Sequence, residues 1–133
     1  MCIYFNKTSL FLITVIFQCG VTNVWGKKPI KKTGNDIDWT FKKGDKIKVE
    51  VYNDPNSMHS MQHPIHFHGQ RFLVLSRNGA KNNSLVWKDT ELVRVGEKME
   101  ILIDMSNPGN WMAHCHISEH LESGMMLNFK VID

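Results

Sequence analysis

The 133-residue sequence predicts an all-β sandwich or barrel. Apolar side chains alternate with polar ones in several short segments, which is the pattern of a strand buried on one face. Groups of glycine, proline and asparagine separate these segments at regular spacing, as in sandwiches and barrels. No stretch has the periodicity of an amphipathic helix of about four turns. Together these observations favour short strands joined by turns.

The first predicted strand covers residues 46–52, because isoleucine and valine alternate there with polar side chains after a lysine-glycine-aspartate turn. Turn-forming residues at 53–57 follow and lead into a histidine-rich segment. The next strand is predicted at 71–76. It contains four consecutive apolar residues, which indicates a buried strand.

The second half of the chain continues this pattern. Asparagine-rich loop residues at 78–83 precede one or two short strands within 85–95, and alternating apolar residues predict a strand at 99–104. An Asn-Pro-Gly turn comes before the segment 111–116. The last predicted strand is 127–131, where leucine, phenylalanine and valine alternate with asparagine and lysine.

Composition and charge limit the functional classes. An apolar fraction of 42% and a charged fraction of 22% are ordinary for one soluble domain with a modest tail. The net charge of +3 arises in residues 1–43, which hold seven lysines and two aspartates, whereas the remainder holds nine basic and eleven acidic residues. Because the predicted domain is slightly acidic, nucleic acid is not expected as a partner.

Residues 1–26 are predicted to be a signal peptide or N-terminal anchor, because Lys7 precedes a short apolar run. The tail of a truncated upstream domain is the alternative. Residues 27–37 are interpreted as an exposed linker and residues 38–133 as the folded domain. The three cysteines at 2, 19 and 115 predict no disulfide framework. The expected location is secreted or periplasmic, with membrane anchoring through the N-terminal segment as a variant.

Six of the seven histidines fall in two short clusters, at 63–68 and 114–120, and His59 alone lies outside them. On an extended strand, side chains two positions apart share a face. His114 and His116 should therefore point to the side opposite Cys115, and the same alternation applies to the histidines at 66 and 68. Imidazole and thiolate form a ligand set for copper or zinc.

One metal site is predicted around Cys115. His120 follows it by five residues and Met125 by ten, and His63 is the natural second histidine from a neighbouring strand. Two histidines, a cysteine and a weak axial methionine are the ligand set of a blue-copper site. Zinc prefers four firm ligands in a closed structural site, so copper is favoured.

The segments HPIHFHG and HCHISEHLESGM resemble the third and fourth copper motifs of multicopper oxidases, the laccase and ferroxidase superfamily. The segments KKGDKIKVEVYND, VWKDT and NPGNWMAHCH also resemble the C-terminal plastocyanin-like domain of that family. The resemblance covers residues 38–133. It implies a cupredoxin-like Greek-key β-sandwich and an oxidoreductase.

The resemblance also implies a role for each metal ligand, and no catalytic residue is predicted beyond these ligands. It assigns them as follows: His63, Cys115 and His120 to type 1 copper with Met125 axial, His66 to type 2 copper, and His68, His114 and His116 to type 3 copper. Single electrons would enter at type 1 copper. They would pass from the cysteine sulfur to the type 2 and type 3 cluster, which reduces dioxygen to water.

Only half of that cluster is encoded, since it uses two further His-x-His motifs that are absent from the sequence. A second domain or subunit is therefore expected to complete it, by homo- or hetero-oligomerisation. The other partners implied are dioxygen and a reducing substrate, whether a phenol, a metal ion or a redox protein. The alternatives are a stand-alone blue-copper electron carrier and an inactive or copper-storing fragment. Asp89 is interpreted either as a group that orients a ligand imidazole or as a strand-end acid.

Overall fold

The computed structural model describes Cys2–Phe5 and Leu12–Phe17 as backbone, and residues 37–57 and 60–133 with their side chains. Strands dominate this part of the chain, as predicted. They are β1 (Cys2–Phe5), β2 (Leu12–Phe17), β3 (Trp39–Lys42), β4 (Lys46–Asn53), β5 (His63–Phe67), β6 (Arg71–Arg77), β7 (Ala80–Lys81), β8 (Thr90–Val93), β9 (Lys98–Asp104), β10 (Gly109–Cys115) and β11 (Met126–Ile132), with one short helix, α1 (Ser118–Glu122).

The strands form two sheets. One has the order β1-β2-β4-β9-β6-β7 and the other the order β3-β11-β10-β5-β8. Neighbouring strands are antiparallel except for two parallel pairs in the described chain, β2 with β4 and β3 with β11. The prediction of an all-β sandwich is therefore confirmed.

The core lies between the two sheets and follows the alternation in the sequence. In β4 the residues at 47, 49 and 51 are buried, and in β9 the residues at 99, 101 and 103 are buried. Phe72 of β6 and Phe129 of β11 fill the same core from opposite sheets. Each such side chain contributes about 1.5–3 kcal/mol when it is removed from water.

Three segments differ from the sequence-based expectation. Trp39–Lys42 forms a strand that the sequence pattern did not predict, because four residues are too few for a clear alternation. Within 85–95 only Thr90–Val93 is a strand, and residues 84–87 form an exposed loop. Ser118–Glu122 forms a helix of five residues in the segment interpreted as a loop.

Most of the predicted leader and linker, residues 1–37, lies outside the described residues, and the signal peptide remains a prediction. The described parts of this segment, β1 and β2, are strands, and β2 pairs with β4. Within the described chain, no helix has the length and apolar character needed to cross a membrane.

The pairing of β5 with β10 positions the histidine motifs. His114 is paired with His66, and Cys115 is paired with Ile65. The two clusters, which are about fifty residues apart in sequence, therefore lie side by side in the five-stranded sheet.

Candidate metal centre

His63, Cys115 and His120 form a buried group of potential metal ligands. His63 opens β5, Cys115 ends β10, and His120 lies in α1. The Nδ1 atoms of His63 and His120 are 3.2 Å apart, and the Cys115 sulfur lies 3.7 Å from the first and 3.5 Å from the second. His63 and Cys115 are 0% exposed, and His120 is 8% exposed.

These three atoms fit a bound metal ion. A triangle with these edges has its centre about 2.0 Å from each corner, which is the length of a metal–imidazole bond. Burial, reinforced by the nearby His120, lowers the pKa of His63 to about 4. The imidazole of His63 is therefore neutral at physiological pH, as a metal ligand must be.

The chain between Cys115 and Met125 folds back so that both ends meet. The backbone N–H of Cys115 donates to the carbonyl of Met125 at 3.1 Å, and the N–H of Met125 donates to the carbonyl of His120 at 2.9 Å. Gly124 has φ +93°, a value that favours glycine at this turn. Met125 is thereby buried beside Cys115 and His120, and its role as axial ligand remains a prediction.

Four further histidines gather nearby, and we call His66, His68, His114 and His116 the histidine cluster. The Nε2 atoms of His68 and His114 are 2.9 Å apart. Ring centroids are 4.7 Å apart for His66 and His68 and 5.7 Å apart for His114 and His116. The structure brings both His-x-His pairs together, and the distribution of these histidines between type 2 and type 3 copper stays a prediction.

Hydrogen bonds orient two of these rings. The Nδ1 of His66 donates to the carbonyl of Asp89 at 3.0 Å and lies 2.8 Å from the hydroxyl of Thr90. The Nδ1 of His114 donates to the carbonyl of Cys115 at 2.8 Å. Because a carbonyl oxygen only accepts, Nδ1 carries the ring proton in both and Nε2 keeps its lone pair. Such partners fix the orientation of ligating imidazoles.

Asp89 contacts the His66 imidazole, in line with the first of its two interpretations. Its backbone carbonyl holds His66, whereas its carboxylate oxygen is 3.9 Å from the same nitrogen. Thr90 could not be predicted from the sequence, since only the register of β8 against β5 places this hydroxyl opposite His66. His59 lies outside the described residues.

Burial and neighbouring charge disfavour the protonated form of His68. Burial, together with the neighbouring imidazoles of His66, His114 and His116, lowers the pKa of His68. The neutral imidazole of His68 is therefore favoured, which is the form that can bind a metal ion.

The turn that carries His68 is held tightly to the rest of the protein. Gly69 has φ +68°, and the Trp111 ring lies so close that a Cβ at this position would be 2.3 Å from it. The buried Gln70 donates to the carbonyl of Asn107 at 2.7 Å and accepts from the backbone N–H of Ser106 at 3.0 Å. The turn after β5 is thereby fixed to the segment that leads into β10.

Comparison with known proteins identifies relatives of the whole described domain. A family model described as "Multicopper oxidase" matches residues 10–133. The "Multicopper oxidase mco" of Staphylococcus epidermidis is 41% identical over 99 residues, which is 73% of this chain and 22% of that protein. The chain therefore spans about a fifth of the length of this curated relative. The family match begins inside the segment predicted as a leader.

Solved structures agree in fold. A multicopper oxidase from Campylobacter jejuni, titled a metallo-oxidase, has a TM-score of 0.67 at 34% identity, covering 77% of this chain and 22% of that chain. A laccase from Pediococcus acidilactici has a TM-score of 0.75 at 27% identity, covering 96% and 28% respectively. The expected cupredoxin-like sandwich is confirmed by these similarities.

Proposed function

The chain belongs to the multicopper oxidase family, and we propose that it forms the part of a copper oxidoreductase that accepts single electrons at a type 1 copper site. The observation that carries this proposal is the buried triangle of two imidazole nitrogens and one thiol sulfur. Copper held by such a set supplies one-electron redox chemistry. Met125 would be the weak axial ligand.

The residues of the triangle differ in their exposure to solvent. His63 and Cys115 are fully buried, so they exclude water and hold their donor atoms in fixed positions. His120 retains slight exposure, which makes its edge the side on which a reductant would approach. The reducing substrate would be a phenol, a metal ion or a redox protein.

The histidine cluster would receive these electrons. Cys115 lies between His114 and His116 in the chain, and its carbonyl also accepts a hydrogen bond from His114. Covalent and hydrogen bonds therefore connect the two sites directly. We propose that His66 binds type 2 copper, that the other three histidines bind type 3 copper, and that the completed cluster reduces dioxygen to water.

Another domain or chain would complete the cluster. Support comes from the four histidines gathered here, from the absence of further His-x-His motifs in the sequence, and from the chain's matching only 22% of a relative's length. We also propose a secreted or periplasmic location, on the basis of the apolar N-terminal run.

Copper loading of the full chain tests the proposal. We expect an intense blue absorption with Cu(II), its loss in Cys115→Ser, and its retention in the control His116→Ala, which changes only the histidine cluster. A folded chain that stays colourless with Cu(II) would refute the type 1 site and favour an inactive or copper-storing fragment.

The size of the chain in solution and its oxygen uptake test whether another domain or chain is needed to complete the cluster. We expect the lone chain to cycle its blue colour with reductant and oxidant while consuming no dioxygen. A monomer that fills a type 2 and type 3 cluster and consumes dioxygen would contradict the need for a partner. Failure of a polypeptide with two His-x-His motifs to restore oxygen uptake would favour a stand-alone electron carrier.

A further inference from the structure

Asn53 is a fully buried polar residue at the end of β4 that neither copper motif includes. Its side-chain Nδ2 donates to the carbonyl of Met61 at 2.9 Å and to the carbonyl of Val93 at 3.2 Å. An amide nitrogen has two N–H groups, so both are used. This side chain therefore connects two separate segments of backbone.

Both of those segments adjoin His63. Met61 precedes it by two residues, at the end of the loop between β4 and β5, and Val93 is its direct partner across β5 and β8. Asn53 thus holds the backbone on both sides of one proposed copper ligand. It does so from the other sheet, since β4 lies in the six-stranded sheet and both β5 and β8 lie in the five-stranded one.

The backbone of Asn53 is fixed as well. Its N–H donates to the carbonyl of Glu97 at 3.0 Å, and its carbonyl accepts from the N–H of Gly96 at 2.9 Å. The amide group is thereby anchored before it reaches Met61 and Val93. Because the donor is anchored, it can set the position of the loop end. A mobile donor would instead move together with the loop.

We propose that Asn53 is a positioning residue for the type 1 copper site, which sets the position of His63 relative to Cys115 and His120. The inference rests on the proposed function. The donor triangle has edges of only 3.2 to 3.7 Å, so a displacement of His63 by a fraction of an ångström changes its shape. Loss of the amide would free the end of the loop and displace this ligand alone.

The test compares Asn53→Ala and Asn53→Leu with Asn82→Ala in the full chain loaded with Cu(II). Asn82 is the matched control, because its Nδ2 also donates to a backbone carbonyl, that of Val74 at 2.9 Å, beside the edge strand β7. Asn53→Leu fills more of the space that Asn53→Ala leaves empty, so one of them serves if the other folds poorly. Blue absorbance and electron paramagnetic resonance are recorded per bound copper.

We expect both Asn53 variants to bind Cu(II) about tenfold more weakly, the size of effect seen when groups that orient metal ligands are removed. We also expect lower blue extinction and an altered hyperfine splitting for each copper that is bound. Asn82→Ala should match the unmodified chain in both spectra. Spectra per bound copper do not change with the folded fraction, so they separate positioning from stability.

Two results would overturn the inference alone. In the first, the Asn53 variants bind less copper but each bound copper has the unmodified spectrum, which would make the residue structural. In the second, affinity and spectra equal those of Asn82→Ala. An unmodified chain without blue colour would overturn the proposed function and this inference together.

Discussion

Gly69 lies against the Trp111 ring in the turn that carries His68, so Gly69→Ala should be strongly destabilising. A Cβ at this position would be 2.3 Å from the nearest ring atom, and the backbone has φ +68°. The ring cannot move without cost, because its Nε1 donates to the carbonyl of Asn107 at 2.9 Å. The substitution therefore combines backbone strain with a steric clash.

The magnitude follows from these two terms. A left-handed backbone costs a non-glycine residue roughly 1–2 kcal/mol, and overpacking typically costs about 1–3 kcal/mol more. We expect Gly69→Ala to lower the free energy of unfolding by about 3 kcal/mol. Gly79→Ala is the matched control. Gly79 has φ +79° with no atom within 4 Å of its Cβ position, so only the first term applies.

Urea unfolding of the metal-free chain, followed by circular dichroism, measures both variants. A double-mutant cycle with Trp111→Ala adds a direct test of the clash, since removing the ring should restore part of the stability lost in Gly69→Ala. If Gly69→Ala costs no more than Gly79→Ala, or if the cycle shows no coupling, the turn is not packed as described.

Three further predictions concern ion pairs and the metal site. Arg77→Met should lower the free energy of unfolding, measured in urea, by about 2–4 kcal/mol, because it leaves the buried carboxylate of Glu97 without the guanidinium at 2.9 Å. An effect equal to that of Arg77→Lys would argue against this. Burial raises the pKa of Glu91, but Lys88 and Arg77 lower it more, so it lies below 4.5 in the folded state. Ionised Glu91 therefore stabilises the fold above pH 4.5, and this contribution is lost as pH falls through the lower folded pKa. Glu91→Gln should make the free energy of unfolding decrease less steeply at acid pH. An unchanged slope would contradict the lowered pKa. Met125→Leu should raise the reduction potential of the copper-loaded chain in voltammetry, because it removes an additional donor, and additional donors favour the more charged Cu(II) over Cu(I). An unchanged or lower potential would show that Met125 does not contact the metal.

Local patterns in the sequence were sufficient for much of the fold and for the candidate ligands. Alternation of Ile47, Val49 and Val51 is a property of consecutive residues, and so is the spacing of His114, Cys115 and His116. In each case the geometry of a strand places residues two positions apart on the same face. The buried triangle and the histidine cluster are therefore where the motifs indicated.

Contacts between distant segments could not be predicted in the same way. Thr90 reaches His66 only through the register of β8 against β5, and Asn53 of one sheet reaches Val93 of the other. Neither residue has a neighbouring motif that marks it. Asp89 shows the same limit on a smaller scale, since the sequence left open whether it orients an imidazole or is a strand-end acid, and the structure shows its carbonyl bound to His66.

The alternation of faces at the end of β10 restricts how this part of the gene can vary in length. Insertion of a single codon between His114 and Cys115 would turn the side chain of Cys115 to the opposite face of the strand, and would direct the thiol toward the imidazoles. Insertion of two codons would restore the faces but shift the ligands along the strand by about 7 Å. No change of length between His114 and Cys115 therefore leaves all the proposed ligands in place.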